Sequence, residues 1–174
     1  MLSNIRFRNR PSSVSNGKVG TDCEFYIYSP PMFGIFHHIG FVVPSIEEAA
    51  GQMCESIAAD WDRKILHDPL QLARVAFLHS RFAGNPTVEL VEPAGEESPV
   101  SRFLKQGGGL HHLCYEVDRL EIILDLCRSR GELLARRAMP AVAFGGRRIA
   151  WVYTQQKLLV EYLEKELPAA SPVR

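Results

Sequence analysis

Phe36-His37-His38-Ile39-Gly40-Phe41-Val42-Val43 occurs a second time, in altered form, as Leu110-His111-His112-Leu113-Cys114-Tyr115-Glu116-Val117. Both stretches are apolar and rich in β-branched or aromatic residues, the composition of a strand. Each carries adjacent histidines at the same position, and with only six histidines in the chain coincidence is a poor explanation. A second correspondence follows downstream: Thr87-Val88-Glu89-Leu90-Val91-Glu92 matches Leu159-Val160-Glu161-Tyr162-Leu163-Glu164. The separation from His38 to Glu89 is 51 residues and from His112 to Glu161 it is 49. The chain therefore reads as a duplicated unit.

Working outward, Pro44-Ser45 closes the first strand, and Ser45 followed by Glu48 is a capping box that opens a helix over about 45–58. Strand-like runs lie at 61–67, 72–79 and 87–92, the last preceded by the turn Gly84-Asn85-Pro86. Ser98-Pro99 starts a short connector helix that ends at Gly107-Gly108-Gly109. The second copy then repeats the order: a strand, an amphipathic helix over 119–130 stopping at Gly131, and runs at 132–138, 147–153 and 158–164. This predicts an α+β domain over 34–166, made of two βαβββ modules at 36–93 and 110–165 with a connector at 94–109. Residues 1–33, with Arg6, Arg8, Arg10, Lys18 and a Ser/Asn/Gly run, read as a flexible extension in which Phe25–Tyr28 could add an edge strand. Residues 167–174 form a short tail.

At 174 residues and 46% hydrophobic, the chain suffices for one well-buried core. Twenty basic residues balance twenty acidic ones, which removes the long-range field that would draw it to nucleic acid or an anionic membrane. No apolar run has the length of a membrane span. The four cysteines lack any CxxC spacing and read as reduced thiols of a cytoplasmic protein.

One histidine and one glutamate from each module would supply four donors at the pseudo-twofold axis. Imidazole plus carboxylate suits zinc, cobalt, nickel, manganese or iron and fits calcium poorly. A closed structural zinc site would favour cysteine, whereas six-coordination leaves two positions for substrate. Glu89 and Glu161 lie in apolar runs, where a lone carboxylate is costly to bury unless paired or coordinated. Adjacent strand residues face opposite ways, so one histidine of each pair is expected in the cavity, and periodicity does not choose which. Cys114, two residues beyond His112, is a candidate to line the pocket. Gly145-Gly146-Arg147-Arg148 is a candidate loop for an anionic substrate group through Arg147 and Arg148.

Across 36–165 the residues resemble the vicinal oxygen chelate (glyoxalase/bleomycin resistance/dioxygenase) superfamily, and within it most nearly the methylmalonyl-CoA epimerases. The resemblance is carried by Phe36-His37-His38-Ile39-Gly40, by Val88-Glu89-Leu90-Val91-Glu92-Pro93, by Glu97–Leu104 leading to Gly109-Leu110-His111-His112, and by Leu159-Val160-Glu161. It implies that His38, Glu89, His112 and Glu161 hold a divalent metal ion (Co, Ni, Zn, Mn or Fe) and that Glu161 is also the catalytic base. It further implies proton transfer alpha to a carbonyl in a small-molecule substrate such as a CoA thioester, and a homodimer. Glu89 falls where the epimerases often carry glutamine and bacterial glyoxalase I glutamate.

Two departures bear on substrate. The epimerases place a second acid/base carboxylate on the strand around 72–78, where Arg74 is the only charged residue and thus the candidate for substrate contact; His67, Gln71 and His79 are other groups in this half. The long loop before the last strand is replaced by Thr154-Gln155-Gln156-Lys157, whose lysine could meet a phosphate. A glyoxalase I-like lactoylglutathione lyase, an extradiol-type dioxygenase and a non-catalytic small-molecule binding protein are the alternative readings.

Overall fold

The computed structural model describes residues 34–166; the extension expected over 1–33 and the tail over 167–174 lie outside them. Strand β1 (Ile35–Val42) leads to helix α1 (Ile46–Ile57), then to β2 (Ala59–Trp61), β3 (Leu66–Asp68), β4 (Ala73–Ser80) and β5 (Thr87–Pro93). A short helix α2 (Ser101–Lys105) connects to β6 (Gly109–Val117), α3 (Leu120–Ser129), β7 (Leu133–Pro140), β8 (Arg148–Tyr153) and β9 (Leu159–Glu164). Among the described residues no helix is long and apolar enough to cross a membrane.

Local chemistry explains the boundaries. The Ser45 hydroxyl accepts from the Glu48 amide at 3.3 Å, and Glu92 of β5 accepts from the Ile46 amide at 2.9 Å, so two of the free donors at the start of α1 are satisfied. The run expected as one strand over 61–67 is instead two. Asp62 accepts from the Lys64 amide at 2.8 Å and Arg63 takes the left-handed conformation at φ 61°, so Asp62-Arg63-Lys64 forms a turn that splits β2 from β3. The connector helix is shorter than expected, beginning at Ser101, because the Ser98 amide donates back to the Gly95 carbonyl in a separate turn.

The strands form one mixed sheet in the order β2-β4-β5-β1-β6-β9-β8-β7, with β3 paired to β4. Strand β1 runs parallel to β5, β6 runs parallel to β9, and the halves join through the antiparallel pair β1–β6. The order in one half is thus the reverse of the other, as a pseudo-twofold axis between β1 and β6 requires. One face is covered by α1, whose Ile46 and Ala50 pack with Leu78, Val88 and Leu90, and by α3, whose Leu120, Ile123, Leu124 and Cys127 pack with Val117, Ala150 and Val152. Each fully buried aliphatic side chain there contributes roughly 1.5–3 kcal/mol. In β5 the alternation then turns Glu89 and Val91 to the opposite face, toward a cavity.

Gly108 makes the join possible. Its φ is 65°, and a Cβ there would sit 2.7 Å from the Val42 carbonyl oxygen, so the connector enters β6 only with glycine at this point.

Candidate metal centre

Four side chains meet at the axis: His38 from β1, Glu89 from β5, His112 from β6 and Glu161 from β9, at 0%, 4%, 1% and 2% exposure. The two Nε2 atoms are 3.1 Å apart. Glu89 Oε2 lies 3.4 Å from His38 Nε2 and 3.3 Å from His112 Nε2. Glu161 Oε2 lies 3.3 and 3.8 Å from the same two nitrogens. The register repeats across the axis: Glu89 pairs with Gly40 as Glu161 pairs with Cys114, and Gly40 faces His112 as Cys114 faces His38.

The donor set fits a divalent ion. Ligands about 2.0–2.2 Å from a common ion are roughly 3–3.5 Å from each other, close to the spacings here. Glu161 Oε2 is buried and makes no hydrogen bond, a cost that coordination would remove. Ligand atoms of His38, Glu89 and His112 lie within 4.8 Å of one another, with Glu161 beside them, and so do those of His37, His38 and Cys114, but burial followed by the Glu161 charge pushes the Cys114 thiol far up, which keeps it protonated and a poor ligand.

Electrostatics divides the two carboxylates. Burial alone would neutralise Glu89, but the adjacent imidazoles outweigh it and hold the carboxyl well below its usual range. For Glu161 burial and then the Glu89 charge prevail, and the shift is upward. Burial pulls the His38 imidazole down, yet Glu89 and Glu161 outweigh it and the net shift is up.

Both histidines of each pair reach this side of the sheet, contrary to strict alternation. His37 is an extra residue in β1 between the pairs Phe36–Tyr115 and His38–Cys114. His111 is an extra residue in β6 between Gly40–His112 and Phe41–Leu110. Each bulge swings the extra side chain beside its neighbour. The Nδ1 atoms of His37 and His38 are 2.8 Å apart, and those of His111 and His112 are 3.0 Å apart. With Nε2 turned to the carboxylates, the Nδ1 of His38 and of His112 is left to carry the proton and donate it. Burial and a neighbouring imidazole lower the pKa of His37 and push that of His111 down to about 4, so both are neutral acceptors at neutral pH.

Phe144 stacks on the His38 ring at 5.8 Å, and Trp151 meets the His112 ring edge-on at 4.7 Å. Phe144 ends a 3-10 turn, Val142–Phe144, between β7 and β8. Beside the cluster opens a cavity of about 200 Å³ walled by Ala73, Val75, Val91, Ile149 and Trp151, with Asp68, Gln71, His111, Arg136 and Tyr153 among its other polar groups.

The remaining sequence candidates lie elsewhere. Arg74 is bound by Glu92 at 2.6 Å and by Glu47. Arg147 pairs with Glu116 at 2.6 Å, and Arg148 with Glu164 at 2.6 Å and Glu121 at 2.8 Å. None of the three lines the cavity; each is held by carboxylates of neighbouring strands or of α1 and α3. Cys114 is a core thiol packed with Ile149, Phe144 and Leu163 and does not line the cavity either. His67 and His79 are exposed, as is Lys157 in its turn. Gln71 does line the cavity. Arg136 and Asp68 escaped the sequence reading: register shifts on both sides of Arg136 break the alternation of β7, and nothing in the sequence marked Asp68.

Residues 37–151 match the model of the glyoxalase/bleomycin resistance protein/dioxygenase superfamily. An ethylmalonyl-CoA/methylmalonyl-CoA epimerase of Cereibacter sphaeroides is 28% identical over 124 residues, covering 70% of this chain and 90% of that protein. The mitochondrial methylmalonyl-CoA epimerase of Bos taurus is 31% identical over 108 residues; the match covers 60% of this chain and 59% of that protein. Among solved structures, a hypothetical protein of Bacillus halodurans C-125 superposes with a TM-score of 0.67 at 26% identity, over 79% of this chain and 99% of that one. A methylmalonyl-CoA epimerase of Mycobacterium tuberculosis superposes with a TM-score of 0.64 at 22% identity, over 82% and 95%, and so shares the fold. By the family match, the paired modules and the mixed sheet, this chain belongs to the glyoxalase/bleomycin resistance protein/dioxygenase superfamily.

Proposed function

We propose that this protein is a metal-dependent isomerase that moves a proton alpha to a carbonyl, similar to the methylmalonyl-CoA epimerases and acting on an acyl-CoA thioester. The carrying observation is the buried convergence of His38, Glu89, His112 and Glu161 from β1, β5, β6 and β9. Zinc, cobalt, nickel, manganese or iron held by these four would polarise the thioester carbonyl and make the adjacent C–H more acidic. Glu161, buried in the reacting end of the cavity, would take the proton through a carboxylate oxygen not engaged by the ion. Glu89 stays ionised between the two imidazoles. His37 and His111 orient the rings of His38 and His112, and the apolar wall excludes water from the reacting end. The reading carries with it a cytoplasmic setting, supported by the free thiols of Cys54, Cys114 and Cys127, and a homodimer, supported by the resemblance to the epimerases.

One observation favours a second reading. Ala73 and Val75 are the β4 residues on the cavity wall, so β4 offers no second proton carrier. A single base suffices for a glyoxalase I-like lyase, which would carry the proton from one carbon of a 2-oxo thiohemiacetal to the adjacent carbon along one face.

Deuterium incorporation at the α-carbon, followed by mass spectrometry across acyl-CoA and 2-oxo thiohemiacetal substrates, tests both. Exchange that depends on metal and on Glu161 supports the proposal, and inversion of the centre separates epimerase from lyase. No exchange with any of the five metals would refute it.

A further inference from the structure

The arginines nominated from sequence are neutralised by carboxylates, but Arg136 is not. It lines the cavity, half-buried, and among the described residues it makes no ion pair with a carboxylate. Its Nη1 donates to Gln71 Oε1 and its Nη2 to the Leu70 carbonyl, both at 2.9 Å. Gln71 in turn donates from Nε2 to the Pro140 carbonyl at 3.4 Å, which fixes its amide at both ends. The guanidinium therefore spans the two modules, held by the β3–β4 turn of the first and carried by β7 of the second. Asp68, the nearby acid of the same wall, is committed to the backbone. Its Oδ1 accepts from the Leu70 and Gln71 amides at 2.9 and 3.0 Å, and its Oδ2 from the Val142 amide at 2.7 Å. Two of the five N–H groups of Arg136 are engaged by neutral carbonyl oxygens, and a guanidinium in that state keeps donors and its full charge for an oxyanion.

We propose that Arg136, steadied by Gln71 and Leu70, is an anion-binding subsite that takes a carboxylate or phosphate of the substrate in the cavity that opens from the His38–Glu89–His112–Glu161 cluster. The inference rests on the proposed acyl-CoA chemistry for the identity of the ligand. Its substrate would then carry an oxyanion in addition to the carbonyl that reacts. The apolar walls make such an ion pair stronger than it would be in water.

The test compares Kd values of metal-loaded wild-type protein, Arg136→Gln and Arg136→Lys by calorimetry for malonyl-CoA, acetyl-CoA and malonyl-pantetheine. If Arg136 reads the acyl carboxylate, Arg136→Gln weakens the two malonyl thioesters roughly 10- to 100-fold and leaves acetyl-CoA unchanged. If it reads a phosphate of the nucleotide part, both CoA thioesters weaken and malonyl-pantetheine does not. In either case Arg136→Lys, which keeps the charge and loses the fork, falls between. Equal changes for all three, or none, would overturn the inference and leave Arg136 as a clamp between modules. Failure of the wild type to bind any thioester would count against the acyl-CoA reading instead. Malonate alone, read by thermal shift, then decides the subsite: stabilisation of the wild type but not of Arg136→Gln supports it, and equal or absent stabilisation overturns it.

Discussion

Gly40 in β1 and Cys114 in β6 hold corresponding places, each facing the histidine of the other module. Around them the two halves diverge. The His112 ring lies so close over Gly40 that a Cβ there would be 1.9 Å from its Cε1, while His38 crosses a residue that does carry a side chain. His38 is stacked by Phe144 and His112 is met edge-on by Trp151. Glu89 is held ionised between the two imidazoles and Glu161 is pushed toward its neutral form. The duplication has kept the donors and the adjacent histidines and has let packing and proton affinity drift. In the proposed mechanism that drift would separate the roles, Glu89 supplying fixed charge and Glu161 the base.

The largest expected effect breaks the carboxylate pair. Glu161→Gln should lower α-proton exchange by roughly 10²–10⁴-fold, the usual worth of a general base, while Glu89→Gln should lower it less and act through metal affinity. Equal losses in the metal-saturated variants would show that the two carboxylates do not differ in role.

Next come the orienting histidines. His37→Ala and His111→Ala should each weaken metal affinity about 10- to 100-fold in competition with a chelator, and His37→Asn should recover part of the loss by returning an acceptor. Because His111 also lines the cavity, its replacement should raise KM as well, whereas His37→Ala should not. Unchanged metal affinity in both would reduce the pairs to packing.

Smaller still is the packing contrast. Gly40→Ala should destabilise the fold by about 1–3 kcal/mol in denaturant unfolding, the range for overpacking, and should displace His112. Cys114→Ala should be milder. A neutral Gly40→Ala would mean that the His112 ring is free to move.

The smallest effect concerns pH in metal-free protein. The folded pKa of Glu89 lies below its unfolded value, so its contribution is present above about 4.5 and fades as pH falls through the folded value. Glu161 is shifted the other way, so its contribution is present at acid pH and is lost as pH rises through its raised folded value. At neutral pH Glu161→Gln should therefore stabilise the metal-free fold and Glu89→Gln destabilise it, as read by thermal unfolding. The same sign for both would contradict the assigned asymmetry.

The repeat makes much of this molecule legible in the sequence alone. Histidine pairs and glutamates inside apolar runs marked the strands that meet at the axis, and Ser45 with Glu48 marked the start of α1. Strict alternation misled at the histidines, since bulges at His37 and His111 depend on pairing across β1 and β6, which no single strand encodes. The nominated arginines misled for a similar reason. Arg74, Arg147 and Arg148 find carboxylates distant in sequence, while the cation that does face the cavity, Arg136, lies between irregularities in β7. Phe144 was invisible because a 3-10 turn in the β7–β8 connection, distant in sequence from β1, brings it onto the His38 ring.

Metal content measured by mass spectrometry on purified wild-type, His38→Ala and His112→Ala protein, after loading and desalting, tests most directly the claim that both modules hold one ion. The account predicts one divalent ion per chain in the wild type and loss of it in either variant, although each removes a ligand from a different module. No ion in the wild type, or retention in one variant, would contradict it.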